Sequence, residues 1–239
     1  MFSGANQSAV VAWRRVRVRS GLSAPGLMGK RGGSEPEGER GMPDSLPEAL
    51  HEKLPEDARR SMADLEAALP AILDGPKDNG RIDMIISRPG AGERTLPQSV
   101  RLTAAEGVEG DHWSRGCWLS NDAGEPHPDV QVCMMMSRCI RAIAGEPEFW
   151  PPAGDNLFID MDLTPANLPP GTKVAMGTAE LVITAEPHNG CQAFIDRYGR
   201  DACLFVNMGQ GKVHRLRGIY GRVIKDGEVS VGDVLRKLS

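Results

Sequence analysis

The sequence lacks long hydrophobic runs, a strong excess of charge and paired-cysteine motifs. No apolar stretch approaches the roughly 20 residues that a transmembrane helix needs, so the sequence predicts no membrane partner. The formal net charge is only −4. A chain with a slight acidic excess is not expected to bind nucleic acid or an anionic membrane surface through its overall charge.

The cysteines are few and have no metal-binding or redox spacing. The five are Cys117, Cys133, Cys139, Cys191 and Cys203. None forms a CxxC pair, which argues against a zinc knuckle or a thioredoxin-like motif. Their number is odd, and no secretory signal with an apolar core and a small-residue cleavage site is visible. We therefore predict free thiols in a reducing cytoplasm.

Residues 1–44 differ in composition from the rest of the chain. Six basic residues precede the first acidic residue, Glu35, and Gly, Ser and Pro are dense between residues 21 and 44. Such a composition favours a disordered tail. It also fits an over-long start with true initiation at Met28 or Met42, or a basic targeting peptide.

Residues 45–76 are predicted to form a helical extension that packs on the main domain. Ser45 is a candidate N-cap, and apolar residues recur at helical spacing after Pro55. Gly75-Pro76 is a stop signal.

From Arg81 onward the pattern changes to short strands. Strands are expected at 81–88, 99–103, 130–136, 157–161, 174–176, 181–185, 218–224 and 228–231, with a helix at 137–144. Asp226-Gly227 is the strongest hairpin signal in the chain. Closely spaced short strands with two or three helices predict a mainly β domain, a β-barrel with a few peripheral helices, over residues 81–239.

Cys191 follows a turn at the end of a predicted strand. The strand over residues 179–186 ends at Pro187 and is followed by His188, Asn189-Gly190 and the cysteine. A thiol at such a turn can be accessible, and nearby backbone N–H groups or cations would lower its pKa. It could equally be a small buried hydrophobe. The sequence assigns no catalytic role to His188 or Asn189.

The other cysteines and the glycine-acid pairs have simpler interpretations. Cys133, Cys139 and Cys203 lie in apolar contexts that predict core positions, whereas Cys117 follows a glycine in a loop and is the second candidate for a reactive thiol.

The motifs Gly110-Asp111, Gly154-Asp155-Asn156 and Gly232-Asp233 have neither Rossmann nor P-loop spacing. Each is typical of a turn when taken singly.

Basic residues cluster near the C-terminal strands. The cluster contains Lys212, His214, Arg215, Arg217 and Arg222, with Arg197 and Arg200 upstream. Together with Gly209 and Gly211 they predict a flexible cationic loop. Arginine suits the bidentate binding of phosphate or carboxylate, although the cluster could also be a solvated surface.

The order of these pieces resembles that of the MOSC domain, named for the C-terminal domain of molybdenum cofactor sulfurases. The matching stretches are "VRLTAAEGVEGDHW" (100–113), "AGDNLFIDMDLT" (153–164), "PPGTKVAMGTAELVITAEPHNGCQAF" (169–194) and "LRGIYGRVIKDGEVSVGDVLR" (216–236). They carry Gly-x-x-Gly-Asp, Gly-x-Asn-Leu, a strand that ends in a turn and Cys, and a final Gly-Asp strand. The resemblance covers residues 81–236, about two-thirds of the chain.

The resemblance implies a β-barrel that handles the molybdenum cofactor (molybdopterin) or its sulfur. The invariant cysteine of the family falls on Cys191, which would ligate molybdenum or carry a persulfide. Cofactor-binding residues would then be Asp111, Asn156, Arg197, His214, Arg215, Arg217 and Arg222. The expected activities are a molybdenum-dependent oxidoreductase that reduces N-hydroxylated or similar substrates, or a sulfur carrier. A non-catalytic module that binds an anion or a partner is the third possibility.

Two departures from the family pattern bear on these expectations. Many bacterial members carry His-Gly-Gly after the Gly-Asp motif, whereas this chain continues "HWSRGCWLSNDAGEPHPDVQV", so the substrate side of the pocket is expected to differ. The residues before the domain cannot hold a pyridoxal-phosphate-dependent desulfurase, so pyridoxal phosphate is not expected. There is no ferredoxin-type cysteine cluster either. The expected partner is therefore a cysteine desulfurase or an electron-donor protein.

Overall fold

The structure, a computed structural model, describes residues 51–238, and its main element is a closed seven-stranded β-barrel. The strands are β1 (Gly80–Ile85), β2 (Ser99–Thr103), β3 (Gly107–Val108), β4 (Val132–Met136), β5 (Leu157–Asp160), β6 (Lys173–Met176), β7 (Ala179–Ile183), β8 (Ile219–Lys225), β9 (Gly227–Ser230) and β10 (Val234–Lys237). The helices are α1 (Met62–Leu73), α2 (Ser137–Ala144), α3 (Gln192–Tyr198), α4 (Arg200–Asn207) and α5 (Gly209–Val213). The predicted mainly β barrel is confirmed.

The barrel closes in the strand order β1-β10-β6-β7-β8-β4-β5. Neighbouring strands are antiparallel except β4 and β5, which run parallel. All five residues of β4 are buried, as its continuous apolar sequence predicts for a strand covered on both faces. The predicted helix at 137–144 is present as α2, with Ile140 and Ile143 buried.

Helix α1 is shorter than the predicted helical extension. It begins at a capping box, in which Ser61 Oγ accepts a hydrogen bond from Asp64 N and the Asp64 carboxylate accepts one from Ser61 N. This cap sets the start of the helix at Met62. Before it, the described residues contain only a 3₁₀ turn, Glu56–Ala58. Ser45, the predicted cap, lies outside the described residues.

The predicted hairpin at Asp226-Gly227 is wrong. Strand β8 belongs to the barrel, whereas β9 pairs with β2 in a separate sheet of order β3-β2-β9. The Asp226 carboxylate accepts a hydrogen bond from Ala104 N at 2.9 Å, and a Cβ on Gly227 would lie 2.3 Å from Ala179 N. Contacts between the turn and residues distant in the chain therefore favour the pairing of β9 with β2 in the second sheet.

The segment after Cys191 contains three helices that the sequence did not predict. Residues 209–213, predicted as a flexible cationic loop, form helix α5. This helix packs tightly on α4, because a Cβ on Gly211 would lie 1.7 Å from Phe205 O. Within residues 51–238, no helix is both long and apolar enough to cross a membrane.

Candidate functional site

The Cys191 turn connects β7 to α3 and presents an exposed thiol. Cys191 is the N-cap residue of α3, and its carbonyl accepts hydrogen bonds from Phe194 N at 2.9 Å and Ile195 N at 3.2 Å. Its side chain makes no capping hydrogen bond. Among the five free cysteines, Cys191 is exposed, Cys117 is half-buried and the other three are buried. The accessibility that a reactive thiol needs is therefore present at Cys191.

Asn207, at the end of α4, holds the turn in place. Its Oδ1 accepts a hydrogen bond from Gly190 N at 2.8 Å, and its Nδ2 donates to Gly190 O at 2.9 Å. A Cβ on Gly190 would lie 3.1 Å from Asn207 Nδ2 and 3.2 Å from Cys203 Sγ. The turn can therefore pack this closely on α4 because residue 190 has no side chain.

A buried ion pair lies behind the turn. Arg217 Nη1 is 3.0 Å from Oδ1 and 2.8 Å from Oδ2 of Asp155, and Arg217 Nη2 donates to Ala153 O at 2.9 Å. The guanidinium lies over the ring of Phe194, on α3, at 4.9 Å. Burial opposes the charge on Arg217, but the Asp155 carboxylate outweighs this effect and raises the pKa of Arg217. Burial also raises the pKa of Asp155, and the charge of Arg217 only partly offsets this effect.

His188 is buried beside this ion pair as a neutral imidazole. Its side chain is 8% exposed, and its Nδ1 lies 3.5 Å from Asp155 Oδ1. Its ring packs on Tyr220 with 4.5 Å between centroids. Burial first, and then the positive charges of Arg217 and Arg88, bring the pKa of His188 well below its ordinary value. The neutral histidine therefore holds its place by packing on Tyr220, and its buried Nδ1 has no hydrogen-bond partner within residues 51–238.

Asp111 and Asn156 both bond Arg88, which lies three residues after the end of β1. Arg88 Nε is 2.8 Å from Asp111 Oδ2, and Arg88 Nη2 donates to Asn156 Oδ1 at 3.1 Å. Asn156 Nδ2 donates to Asp111 Oδ2 at 3.0 Å. Burial opposes ionisation of Asp111, but its bonds with Arg88 prevail and lower its pKa. These polar atoms thus bind one another and build a scaffold under the site, and a direct role in cofactor binding stays a prediction.

Cys133 is buried, as predicted for a core cysteine, but it also belongs to this polar network. Arg88 Nη1 donates to its sulfur at 3.2 Å, and the sulfur lies 3.1 Å from Asn156 Oδ1. Burial raises the pKa of the Cys133 thiol. Cys139 is enclosed in α2, where burial raises its pKa to about 12. Neither cysteine can therefore serve as an accessible nucleophile at neutral pH.

Two further arginines, Arg94 and Arg197, bring positive charge to the part of the site near Tyr198. Arg197 Nη1 donates to Pro152 O at 2.7 Å. Arg94 Nε is buried and has no hydrogen-bond partner among the described residues. Burial lowers the pKa of Arg94, and the nearby charge of Arg197 lowers it further. An anion bound between these guanidinium groups would relieve their repulsion.

The predicted C-terminal basic cluster does not form one site. Arg217 points into the core, whereas Arg222 is exposed on β8 and bonds Asp129 at 3.1 Å. His214 Nε2 lies 3.1 Å from Gln210 Oε1. Arg215 adopts a positive φ of 52°, and its buried Nη1 has no partner within residues 51–238. The structure therefore brings Arg217 to the Cys191 turn and places Arg222 on a different surface.

The sequence did not identify Asp155, Arg88 or Asn207 as parts of the site. Asp155 had a signal, since it lies in Gly154-Asp155-Asn156 immediately before a strand, but that run also fits a simple turn. Arg88 and Asn207 had none, because their partners Asp111 and Gly190 are 23 and 17 residues away in the chain. Only the folded chain brings these side chains together.

The described residues contain no preformed metal site made of protein side chains alone. Across the described part of the chain, residues 51–238, no three His, Cys, Asp or Glu side chains lie close enough together to hold a metal ion. A metal bound by Cys191 would consequently need most of its ligands from a cofactor.

The exposure of the five thiols predicts their order of alkylation. In the native protein, iodoacetamide should modify Cys191 first and the half-buried Cys117 second, with the three buried thiols reacting only after unfolding. Peptide mass mapping at short reaction times measures this order. Equal labelling of Cys191 and Cys133 would contradict the structure of the turn.

Comparison with known proteins gives one family match and several structural neighbours. The profile described as MOSC domain matches residues 127–236. The YUAD protein from Bacillus subtilis is 19% identical, with a TM-score of 0.47 over 66% of this chain and 94% of that chain. YiiM from Escherichia coli is 23% identical, with a TM-score of 0.44 over 66% of this chain and 70% of that chain. No curated protein gives a significant match.

Proposed function

Because residues 127–236 match the MOSC domain profile, we propose that this chain binds the molybdenum cofactor through the thiolate of Cys191. One observation carries the proposal. Cys191 is the exposed cysteine of the five, and the turn that presents it is held by two hydrogen bonds between Asn207 and Gly190. A soft thiolate on a rigid support suits the ligation of a soft or borderline metal.

The available donor atoms fit a metal that arrives with its own ligands. The described residues offer one exposed thiol and no cluster of three ligating side chains. A bare ion would be bound weakly by a single thiolate. Molybdopterin supplies sulfur ligands to its metal, so the chain needs to add only one.

Unpartnered guanidinium groups fit the anionic part of the same cofactor. Buried nitrogens of Arg94, Arg215 and Arg217 have no hydrogen-bond partner within residues 51–238. Each is a charged donor suited to a phosphate oxygen. In this proposal Arg94 joins Arg197 and Arg215 in binding the pterin phosphate, whereas the guanidinium of Arg217 stays bonded to Asp155 and Ala153 O.

The bound cofactor would supply two-electron redox chemistry at the metal. The residues of this chain would position it: Cys191 holds the metal, Asn207 fixes the turn and neutral His188 keeps the pocket free of an additional positive charge. Electrons would come from a partner protein, because the described residues provide no metal cluster of their own. The activity that we propose for this site is that of a molybdenum-dependent oxidoreductase.

A second candidate function uses the same thiol as a sulfur carrier. Its support is the exposure of Cys191 on a surface turn, where no capping hydrogen bond occupies the side chain. A partner desulfurase could reach such a thiol and load it with a persulfide sulfur. The two functions predict different groups bound to the purified protein. The first predicts molybdenum and pterin, and the second predicts a labile sulfur.

The test is metal, pterin and labile-sulfur analysis of protein purified from a host that makes the cofactor. We expect molybdenum and pterin in equal amounts with the wild-type chain and their loss in Cys191→Ala. The matched control is Cys117→Ala, because this half-buried thiol lies in a different loop, and its cofactor content should be unchanged.

The other outcomes discriminate between the alternatives. A cyanide-labile sulfur that depends on Cys191, without molybdenum, would replace the first function by the second. Absence of both signals from a correctly folded wild-type protein would contradict both functions and leave the non-catalytic binding module.

A further inference from the structure

A second thiol lies directly beneath the Cys191 turn. Cys203, on α4, is 5% exposed, and its Sγ lies 4.0 Å from Cys191 O. The same sulfur is 3.2 Å from the position that a Cβ on Gly190 would occupy. Cys203 therefore contacts the main chain of the residue that carries the exposed thiol.

The helical pair α3 and α4 creates this juxtaposition. Hydrogen bonds between Asn207 and Gly190 hold the end of α4 beside the start of α3. Cys203 lies one helical turn before Asn207, on the same face of α4. The side chain of Asn207 also donates from Nδ2 to Cys203 Sγ at 3.3 Å. One asparagine thus binds both the turn and the second sulfur.

The two thiols differ in their access to reagents. Cys191 is exposed, so a dissolved oxidant meets it first. Cys203 is shielded, since only 5% of its surface is exposed. A shielded thiol of this kind reacts slowly with reagents in solution. It is nevertheless only 4.0 Å from the main-chain oxygen of Cys191.

We propose that Cys203 is the resolving thiol of Cys191. A hydroperoxide oxidises the Cys191 thiolate to a sulfenic acid: the O–O bond breaks, one oxygen goes to sulfur and the other leaves as water or an alcohol. The Cys203 sulfur then attacks the sulfenic sulfur. An S–S bond forms, the S–O bond breaks, and the hydroxyl leaves as water with the proton from Cys203.

This disulfide would protect Cys191 from further oxidation and would also block the function of its thiolate. A sulfenic acid that is not resolved proceeds to a sulfinic acid, which most cells cannot reduce. A disulfide between Cys191 and Cys203 is reversed by thiols, and while it exists the Cys191 thiolate cannot bind a metal or carry sulfur. The inference requires no cofactor, so it can succeed or fail independently of the proposed function.

The test is peroxide treatment of the full-length, metal-free protein, followed by thiol blocking and peptide mass mapping. We expect a peptide pair that joins Cys191 to Cys203, has lost two hydrogen atoms and is separated by dithiothreitol. In Cys203→Ser, Cys191 should instead be trapped by dimedone and proceed to the sulfinic acid. The control variant Cys117→Ser should still form the disulfide.

Several results would overturn the inference. One is that sulfinic acid forms at Cys191 at the same rate in the wild type and in Cys203→Ser, and that no disulfide appears. Others are a disulfide from Cys191 to Cys117 or to a second molecule. The wild-type map decides the question by itself if Cys203→Ser fails to fold, and Cys203→Ala provides a second resolving-thiol variant.

Discussion

Replacing Arg217 by methionine is expected to lower the free energy of unfolding by about 3–5 kcal/mol. The substitution keeps the aliphatic stem but leaves the Asp155 carboxylate, which is fully buried, without its bidentate partner. An unpaired buried charge is one of the most destabilising defects that a single substitution can create. Urea denaturation of the wild type and the variant measures the difference.

The matched control is Arg222→Met, which removes an exposed arginine bonded to Asp129. It should cost at most about 1 kcal/mol, because solvent screens surface ion pairs. The double substitution Arg217→Met with Asp155→Asn should recover part of the loss, since the amide carries no charge.

The loss from Arg217→Met should be smaller at acidic pH. Burial without Arg217 raises the pKa of Asp155 in the folded state, so folding favours the protonated acid and the variant loses stability as pH rises. Removing Arg217 also removes a charge that lowers the pKa of His188, so this histidine can supply a partial countercharge in acid. A loss similar to that of Arg222→Met would show that the ion pair is not buried.

Replacing Gly218 by alanine is the second change with a large expected effect, a loss of about 3 kcal/mol or more. Gly218 has a φ of 121°, which alanine rarely adopts. A Cβ there would also lie 2.4 Å from Met134 O and 3.0 Å from His188 Nδ1. The variant must therefore distort β4 or displace His188, which lies in the segment that leads to Cys191.

Gly232→Ala separates the two causes of this loss. Gly232 also has a positive φ, 92°, but a Cβ on it would meet nothing within 4 Å. Its substitution should cost only the conformational part, about 1 kcal/mol. Thermal unfolding and the rate of Cys191 alkylation can be compared in the two variants. Equal stability losses, with unchanged alkylation, would mean that Gly218 makes no close contact with the turn.

Local sequence determined much of the barrel. The continuous apolar run that forms β4, the strand that forms β2 and the helix α2 were predicted within about two residues. In each of these segments, the spacing of the apolar residues or the length of the apolar run fits only one type of secondary structure, a strand or a helix. The turn before Cys191 was also predictable, since Pro187 and Asn189-Gly190 stop the strand locally, whereas the exposure of the thiol was left open by the sequence.

The pairing of the strands and the contents of the site required the tertiary structure. The signal at Asp226-Gly227 was the strongest for a hairpin, yet β9 pairs with β2, because Ala104 and Ala179 contact the turn from distant parts of the chain. Likewise, α5 forms from a glycine-containing basic segment because Gly211 lets it pack on α4. Packing of this kind overrides local preference.

The sequence by itself determined that a β-barrel with a MOSC-like order of motifs would carry Cys191 at a turn. Only the tertiary structure decided what surrounds that thiol: the buried pair of Asp155 and Arg217, neutral His188, and Cys203 held by Asn207. The physical reason is that a turn depends on neighbouring residues, whereas the charge, burial and second thiol around it come from residues far apart in the chain. Those residues meet only when the barrel closes and α4 packs beneath α3.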